Sequence, residues 1–434
     1  MNVLVIGGGG REYAIAKRLS EDARVEKVWA LPGNGGMSEF AECVPIKATD
    51  LAGVCGFAEQ NPVDFAVVTP DDPLAMGMAD RLREMGIPCF GPSKAAARIE
   101  SSKIFSKELM KKYGIPTAKA ESCDSKASAL LSIAMAKYPI AIKADGLALG
   151  KGVFICRSHR EAQEAITELM DNKLFGASGE RVLIEEFLEG PEVSVLSFTD
   201  GKTVVPMTAS MDHKTIFENG EGPNTGGMGV IAPNPFYTKE IADECMERIF
   251  LPTVRAMEKE GCPFKGCLYF GLMLTKDGPK VIEYNCRFGD PECQTVLPLM
   301  ETNLLDAMLA VENGTLAETG IRFSDKASCC VVLASGGYPG RYEKNLPMTI
   351  GEPGPDTQFV HAGTVKTDEG FFTNGGRVIN VICQAESLAE AVEKAYAETK
   401  KISFDGMYMR RDIGRAALMH DRAQRAFECL KRGQ

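Results

Sequence analysis

Two lysines and three glycines fall within the run Lys143-Ala144-Asp145-Gly146-Leu147-Ala148-Leu149-Gly150-Lys151-Gly152. Glycine lets backbone N–H groups close on phosphate oxygens and lysine adds a point charge, so the chemistry to expect is phosphate binding. The order is not the G-x-x-x-x-G-K-[ST] of a Walker A loop, which leaves a phosphate cradle and a plain connection between strands both open. Residues 182–188 then form an apolar strand ending in Glu185 and Glu186, and after Gly190-Pro191 a further strand opens on Glu192. Residues 280–285 read as a strand carrying Glu283 and Asn285. Strand side chains alternate, so these two point the same way, and a carboxylate with an amide oxygen suits a Mg²⁺ that keeps waters and also holds substrate phosphates. Arg287, Asp290 and Glu292 crowd the end of this strand, which favours a site over a solvated face.

The elements that position these residues must come from several cores. At 434 residues, 44% hydrophobic and 25% charged, the chain reads as a soluble globular protein of about three domains. A net charge of −10 argues against a nucleic-acid or anionic-membrane partner. No apolar run approaches the roughly 20 residues of a membrane span, and the opening residues read as a buried strand rather than a leader, so a cytoplasmic location is expected. The 14 cysteines are scattered without C-x-x-C pairs and read as small buried hydrophobes in a reducing compartment. With 4 scattered histidines no zinc site is expected; only His213 lies in a candidate site segment.

Apolar runs at 3–6, 25–31, 65–68 and 88–90 alternate with helical stretches at 11–20 and 74–85, the pattern of a parallel doubly wound sheet. Ligands of such sheets bind at the carboxyl ends of the strands, which gathers Gly7-Gly8-Gly9-Gly10, Pro32-Gly33-Asn34 and Pro70-Asp71-Asp72 at one edge. The glycine run fails the dinucleotide fingerprint, because Glu12 stands where the third glycine should fall and no acid follows the second strand; it still suits a single phosphate. Residues 94–112 read as one helix with Lys103 and Lys107 four apart. A mixed α+β region runs to about 325 and contains 212–229, rich in Gly, Asn and charge, whose length marks it as functional or disordered. Short strands and an amphipathic helix at 388–400 close the chain. The expected division is 1–101, 102–325 and 326–434.

Taken in order, these motifs resemble the ATP-grasp superfamily and, within it, the phosphoribosylamine–glycine ligase family (glycinamide ribonucleotide synthetase) of purine biosynthesis. The segments that carry the likeness are 5–12, 32–36, 90–97, 142–153, 184–190, 212–229, 281–292, 332–340 and 361–377. They span nearly the whole chain, and 221–229 and 283–292 are specific to this ligase family. Two departures are visible: Tyr13 stands where the family usually has histidine, and Thr69-Pro70-Asp71 where Gly-Pro-Glu is usual. Both lie at the sugar-phosphate edge.

The resemblance implies a doubly wound N-terminal domain, an ATP-grasp core with a lid and a small β-rich C-terminal domain. It implies a monomer or weak homodimer acting on ATP, glycine and phosphoribosylamine with Mg²⁺ or Mn²⁺. Lys143 and Lys103 would neutralise the nucleotide phosphates under a closing loop containing Gly150, Lys151 and Gly152. Backbone from Glu186 through Phe187 and Leu188 would read adenine, with Glu185 accepting from its amino group, and Glu192 would hold the ribose hydroxyls. Glu283 and Asn285 would bind the metal, Arg287 would stabilise developing charge, and Asp212 and Lys214 would fix the ammonium and carboxylate of glycine. The sugar phosphate would meet Gly8, Gly9, Gly10, Asn34, Asp71, Asn374, Gly376 and Arg377. Asn374-Gly375-Gly376 is equally a hairpin-turn signal, with Arg377 then a plain strand residue. The competing readings are an ATP-grasp ligase for another amino acid or amine, a non-catalytic nucleotide sensor on the same fold, and a dinucleotide oxidoreductase.

Overall fold

Strand Asn2–Gly7 is apolar on both faces and buried almost throughout, as a central parallel strand must be. In the computed structural model, which describes residues 1–147 and 152–432, it pairs in parallel with Lys27–Pro32 on one side and Phe65–Val68 on the other. Glu42–Cys43 and Cys89–Phe90 complete a five-stranded parallel sheet in which the first strand is central. The connections leave this strand in opposite directions, so a crevice opens at its carboxyl end, where Gly7 to Gly10 lie. Gly7 has φ +124, and a side chain there would strike Glu12.

Two four-stranded antiparallel sheets follow. One orders Ala120–Cys123, Val182–Glu186, Ile140–Ala144 and Val153–Cys156, and helices Lys126–Ala134 and His159–Ile166 pack its apolar side into a small core of its own. The other orders Val204–Pro206, Glu192–Asp200, Lys265–Thr275 and Gly278–Asn285. Phe250, Phe264 and Phe270 pack on one face of it and Phe198 on the other; all are fully buried, each contributing about 2–3 kcal/mol of transfer free energy. Its last two strands slip register between Gly271 and Leu272, which face Glu283 and Val281 and leave Ile282 unpaired.

The last sheet orders Met211–Asp212, Gly229–Ala232, Ala327–Ala334, Arg377–Ala385 and Thr357–His361, with helix Leu388–Thr399 across it. Two of its strands thus come from residues 211–232, which the sequence reading assigns to the middle region; the long segment between them is carried on the edge of this sheet. It is ordered by backbone bonds running antiparallel, among them His213 N to Gly229 O at 2.9 Å and Thr225 N to Lys214 O at 2.7 Å.

Two helices expected to be continuous are broken. Residues 74–85 split into Asp71–Met76 and Met78–Glu84 at Gly77, whose φ of +96 no other residue adopts readily. Residues 94–112 split into Lys94–Ser101 and Lys103–Tyr113, because the Ser102 hydroxyl takes the N-cap position and accepts from Phe105 N at 3.1 Å. That break sets Lys103 at the mouth of a helix.

Candidate active site

Lys143 and Glu185 lie diagonally on one face of neighbouring antiparallel strands. Lys143 Nζ is 2.8 Å from Glu185 Oε2 and donates to Ile282 O at 2.9 Å, the carbonyl that the register slip frees from the ladder. Lys103 Nζ donates to Gly146 O at 2.8 Å. Asp145, not singled out in the sequence, ties this corner together: its carboxylate accepts from Ser102 Oγ, Ile104 N and Arg181. Gly152 O accepts from Ala144 N at 2.9 Å, closing the base of the glycine loop; Gly150 and Lys151 lie outside the described residues. Glu186 faces Lys119 N and Lys280, while Leu188 is buried with Ala118 and Met273 and Phe187 is half-buried beside it.

Glu283 is the electrostatic centre. Its carboxyl is held down to about 2, chiefly by Lys214 and also by Lys143 and Lys103. Three lysines assigned from separate motifs therefore converge on one carboxylate. Lys214 Nζ sits 3.2 Å from both Glu283 Oε1 and Glu192 Oε2. Gly271 faces Glu283 across the sheet, and a side chain there would strike its Cγ. Asn285 follows two residues on, on the same face. Among the described residues no group of three or more His, Cys, Asp and Glu could hold a metal unaided. One ionised carboxylate and one amide oxygen are hard donors that fit a magnesium-type ion whose remaining ligands are phosphate oxygens and water.

Asp212 Oδ1 is buried without a hydrogen-bond partner among the described residues. Burial, followed by the nearby Glu292, pushes the Asp212 carboxyl well above the usual range, against the pull of Lys214 and Arg377. Arg287 is oriented by Glu100 at the end of helix Lys94–Ser101: Arg287 Nη2 donates to Glu100 Oε1 at 2.8 Å and Cys286 N to Glu100 Oε2 at 2.7 Å. Burial opposes the guanidinium charge, but Glu100 and Asp71 overcome that and keep Arg287 firmly protonated. Its Nε remains buried and unpaired. Asp71, at the start of its helix, thus faces the site.

At the third corner, Gly9 N donates to Glu12 Oε2 at 2.7 Å, and Arg11, held by Glu12, donates to Phe288 O at 2.8 Å. The glycine loop is thereby fastened to the segment after Arg287. Gly8, Gly9 and Gly10 have no room for side chains: a Cβ would meet Gly33 O, Glu12 Oε2 and Asn380 Nδ2 respectively. Asn34 sits beside this loop with its side chain fully engaged. Both its N–H donors are taken, by Gly8 O and His361 O at 3.0 Å, and its Oδ1 accepts from Gly36 N and Met37 N. Its four hydrogen bonds join Gly8 to residues 36–37 and to His361. His213 is likewise structural: its ring joins Gly229 O to Gly414 N.

The hairpin alternative for Asn374-Gly375-Gly376 fails, because the flanking strands Gly370–Thr373 and Arg377–Ala385 belong to different sheets. Asn374 N donates to Gly363 O, and the Tyr338 ring lies against Gly376. Arg377 is more than a strand residue: its Nη1 donates to Gly226 O at 2.8 Å and Asp290 O at 2.6 Å, linking the 213–228 segment to the one after Arg287. Tyr13 packs edge-on against Phe40 and stacks on His361, an apolar role that histidine would fill less well. Glu12 and Glu100 look in the sequence like ordinary acids near a helix start or end, and Asp145 like one more polar residue of the glycine loop that follows strand Ile140–Ala144.

Two antiparallel sheets that close lysines and carboxylates between them, set beside a doubly wound domain, define an ATP-grasp ligase. Family models for phosphoribosylglycinamide synthetase match most of the chain: the N domain over residues 1–100, the ATP-grasp (A) domain over 101–293 and the C domain over 328–416. The chain belongs to the phosphoribosylamine–glycine ligase family. It is 47% identical to the phosphoribosylamine–glycine ligase of Caldanaerobacter subterraneus subsp. tengcongensis over 95% of this chain and 99% of that one. It is 44% identical to that of Halalkalibacterium halodurans, covering 96% and 97%. The solved phosphoribosylamine–glycine ligase of Thermotoga maritima superposes with a TM-score of 0.85 at 34% identity, covering 95% of this chain and all of that one. The biotin carboxylase domain of a Hydrogenobacter thermophilus 2-oxoglutarate carboxylase, solved with MgADP, shares the fold, with a TM-score of 0.73 at 17% identity over 94% of this chain and 91% of that one.

Proposed function

We propose how the residues of this site divide the work of the family's reaction, the ATP-dependent joining of glycine to 5-phospho-β-D-ribosylamine that gives glycinamide ribonucleotide, ADP and phosphate. A carboxylate is a poor electrophile, so the γ-phosphoryl group of ATP first passes to glycine; the amine then attacks the acyl carbon of glycyl phosphate and phosphate leaves. No enzyme nucleophile is required. Phosphoryl transfer needs positioning and charge neutralisation above all, and the convergence of Lys103, Lys143 and Lys214 on Glu283 carries the assignment.

Lys143 and Lys103 hold the nucleotide phosphates. The backbone of residues 186–188 reads the base and Glu185 accepts from its exocyclic amine, with Glu192 toward the ribose. Glu283 and Asn285 would hold a divalent cation, which supplies charge neutralisation at the transferred phosphoryl group when bound. Asp212, with one carboxylate oxygen outside any hydrogen bond among the described residues, takes the glycine ammonium, and Lys214 takes its carboxylate. Arg287, fixed by Glu100, stabilises the charge that develops as the amine adds. The glycine loop 8–10, with Asp71, Asn374, Gly376 and Arg377, receives the sugar phosphate. Asn34 serves this corner by fixing Gly8. The test is Asp212→Asn. It should raise the KM for glycine by at least tenfold with the KM for ATP little changed; equal effects on both would remove Asp212 from the glycine site.

A further inference from the structure

A second lysine lies on the other side of Glu185. Helix Lys103–Tyr113 brings Lys107 one turn beyond Lys103, and Lys107 Nζ stands 2.8 Å from Glu185 Oε1. Lys143 holds the other oxygen at 2.8 Å. Both lysine side chains are 10% exposed and that of Glu185 is 4% exposed, so this is a buried carboxylate with one ammonium on each oxygen. An ammonium has three donors. Lys107 spends them on Glu185, on Thr117 Oγ1 at 2.7 Å and on Ala118 O at 3.2 Å, and keeps none for a phosphate. Among the described residues Lys143 spends two, on Glu185 and Ile282 O, and keeps one. The two lysines therefore do different work.

We propose that Lys107 is a positioning residue for nucleotide-base selectivity: it fixes Glu185 as an acceptor-only carboxylate, so that a purine carrying an exocyclic amine at that point is taken and one carrying a carbonyl oxygen is refused. This rests on the reading that Glu185 faces the base. An ionised carboxylate offers only lone pairs, whereas a protonated one also has an O–H to give to a carbonyl. Burial opposes the charge on Glu185, and Lys143 and Lys107 together overcome it and hold the group below the ordinary carboxylate range. Without Lys107 the carboxylate keeps a single cation. Its neutral form gains ground, and the remaining pair draws Lys143 away from the phosphates.

The test measures kcat/KM for ATP and for GTP in five proteins: the parent, Lys107→Met, Lys107→Arg, Glu185→Gln and Thr117→Val. Lys107→Met should lower the ATP:GTP ratio about tenfold, the difference between a charge-assisted and a neutral hydrogen bond, and raise the KM for ATP. Lys107→Arg should keep the ratio. Thr117→Val, which removes a Lys107 bond without touching Glu185, should keep it too and so separates selectivity from local packing. If Lys107→Met does not fold, Lys107→Gln replaces it, keeping a donor to Glu185 while removing the charge. An unchanged ratio in folded Lys107→Met, with the ratio lowered in Glu185→Gln, overturns the proposal alone. An unchanged ratio in Glu185→Gln overturns the underlying assignment of Glu185 to the base.

Discussion

Replacing Asn34 by aspartate separates a clamp from a substrate ligand. The amide donates to Gly8 O and His361 O at 3.0 Å; Asn34→Asp keeps the acceptor that serves Gly36 N and Met37 N and removes both donors. Two carbonyl oxygens then lose their partners and face a carboxylate oxygen. An unsatisfied buried acceptor costs about 1–3 kcal/mol, and this corner is only partly buried, so the expected loss of stability is about 2–4 kcal/mol. The single tryptophan, Trp29, is 3% exposed on strand Lys27–Pro32 and reports this domain by fluorescence during urea unfolding. Because Gly8 O is one of the released groups, the KM for phosphoribosylamine should rise in the same variant, while the KM for ATP should not. Stability within about 0.5 kcal/mol of the parent, with a raised KM for phosphoribosylamine alone, would refute the clamp and return Asn34 to the substrate.

Glu283→Gln should lower kcat on the order of a hundredfold and shift the Mg²⁺ requirement upward, read by titrating the metal against ADP release. Since Lys214 and its neighbours hold the Glu283 carboxyl at about 2, its contribution to stability is complete above the ordinary glutamate range and is lost as pH falls toward 2; acid unfolding of the parent should be steeper than that of the variant. Burial pushes His213 and His361 down to about 4, so between pH 6.5 and 4 the unfolded chain binds more protons and stability should drop as the pH is lowered. In His213→Gln that slope should be shallower by up to one proton, measured by denaturant titrations across the window. Glu100→Gln removes the carboxylate that orients Arg287 and should lower kcat about tenfold or more, with the KM for ATP nearly unchanged in steady-state assays.

Much of this was legible because local signals carried it. Residues 3–6 and 65–68 could only be buried parallel strands, and period two placed Glu283 and Asn285 on one face. What escaped depends on partners distant in sequence. That the Asn34 side chain also ties down His361, 327 residues away, has no local signal. Glu100 looks like a solvated helix acid until the chain folds Arg287 onto it, 187 residues later. The two helix breaks turned on a cap and a glycine, Ser102 and Gly77, whose cost in a continuous helix is small enough that tertiary contacts decide. The placement of 211–212 and 229–232 in the last sheet could not be read either, since strands this short show no periodicity.

The central claim is tested most directly by ADP formation from ATP and Mg²⁺, with phosphoribosylamine generated in place and glycine present or withheld. The account predicts ADP only when both glycine and the amine are supplied, with a product of the mass of glycinamide ribonucleotide. ADP released at the same rate without glycine, or a different amide as product, would contradict it.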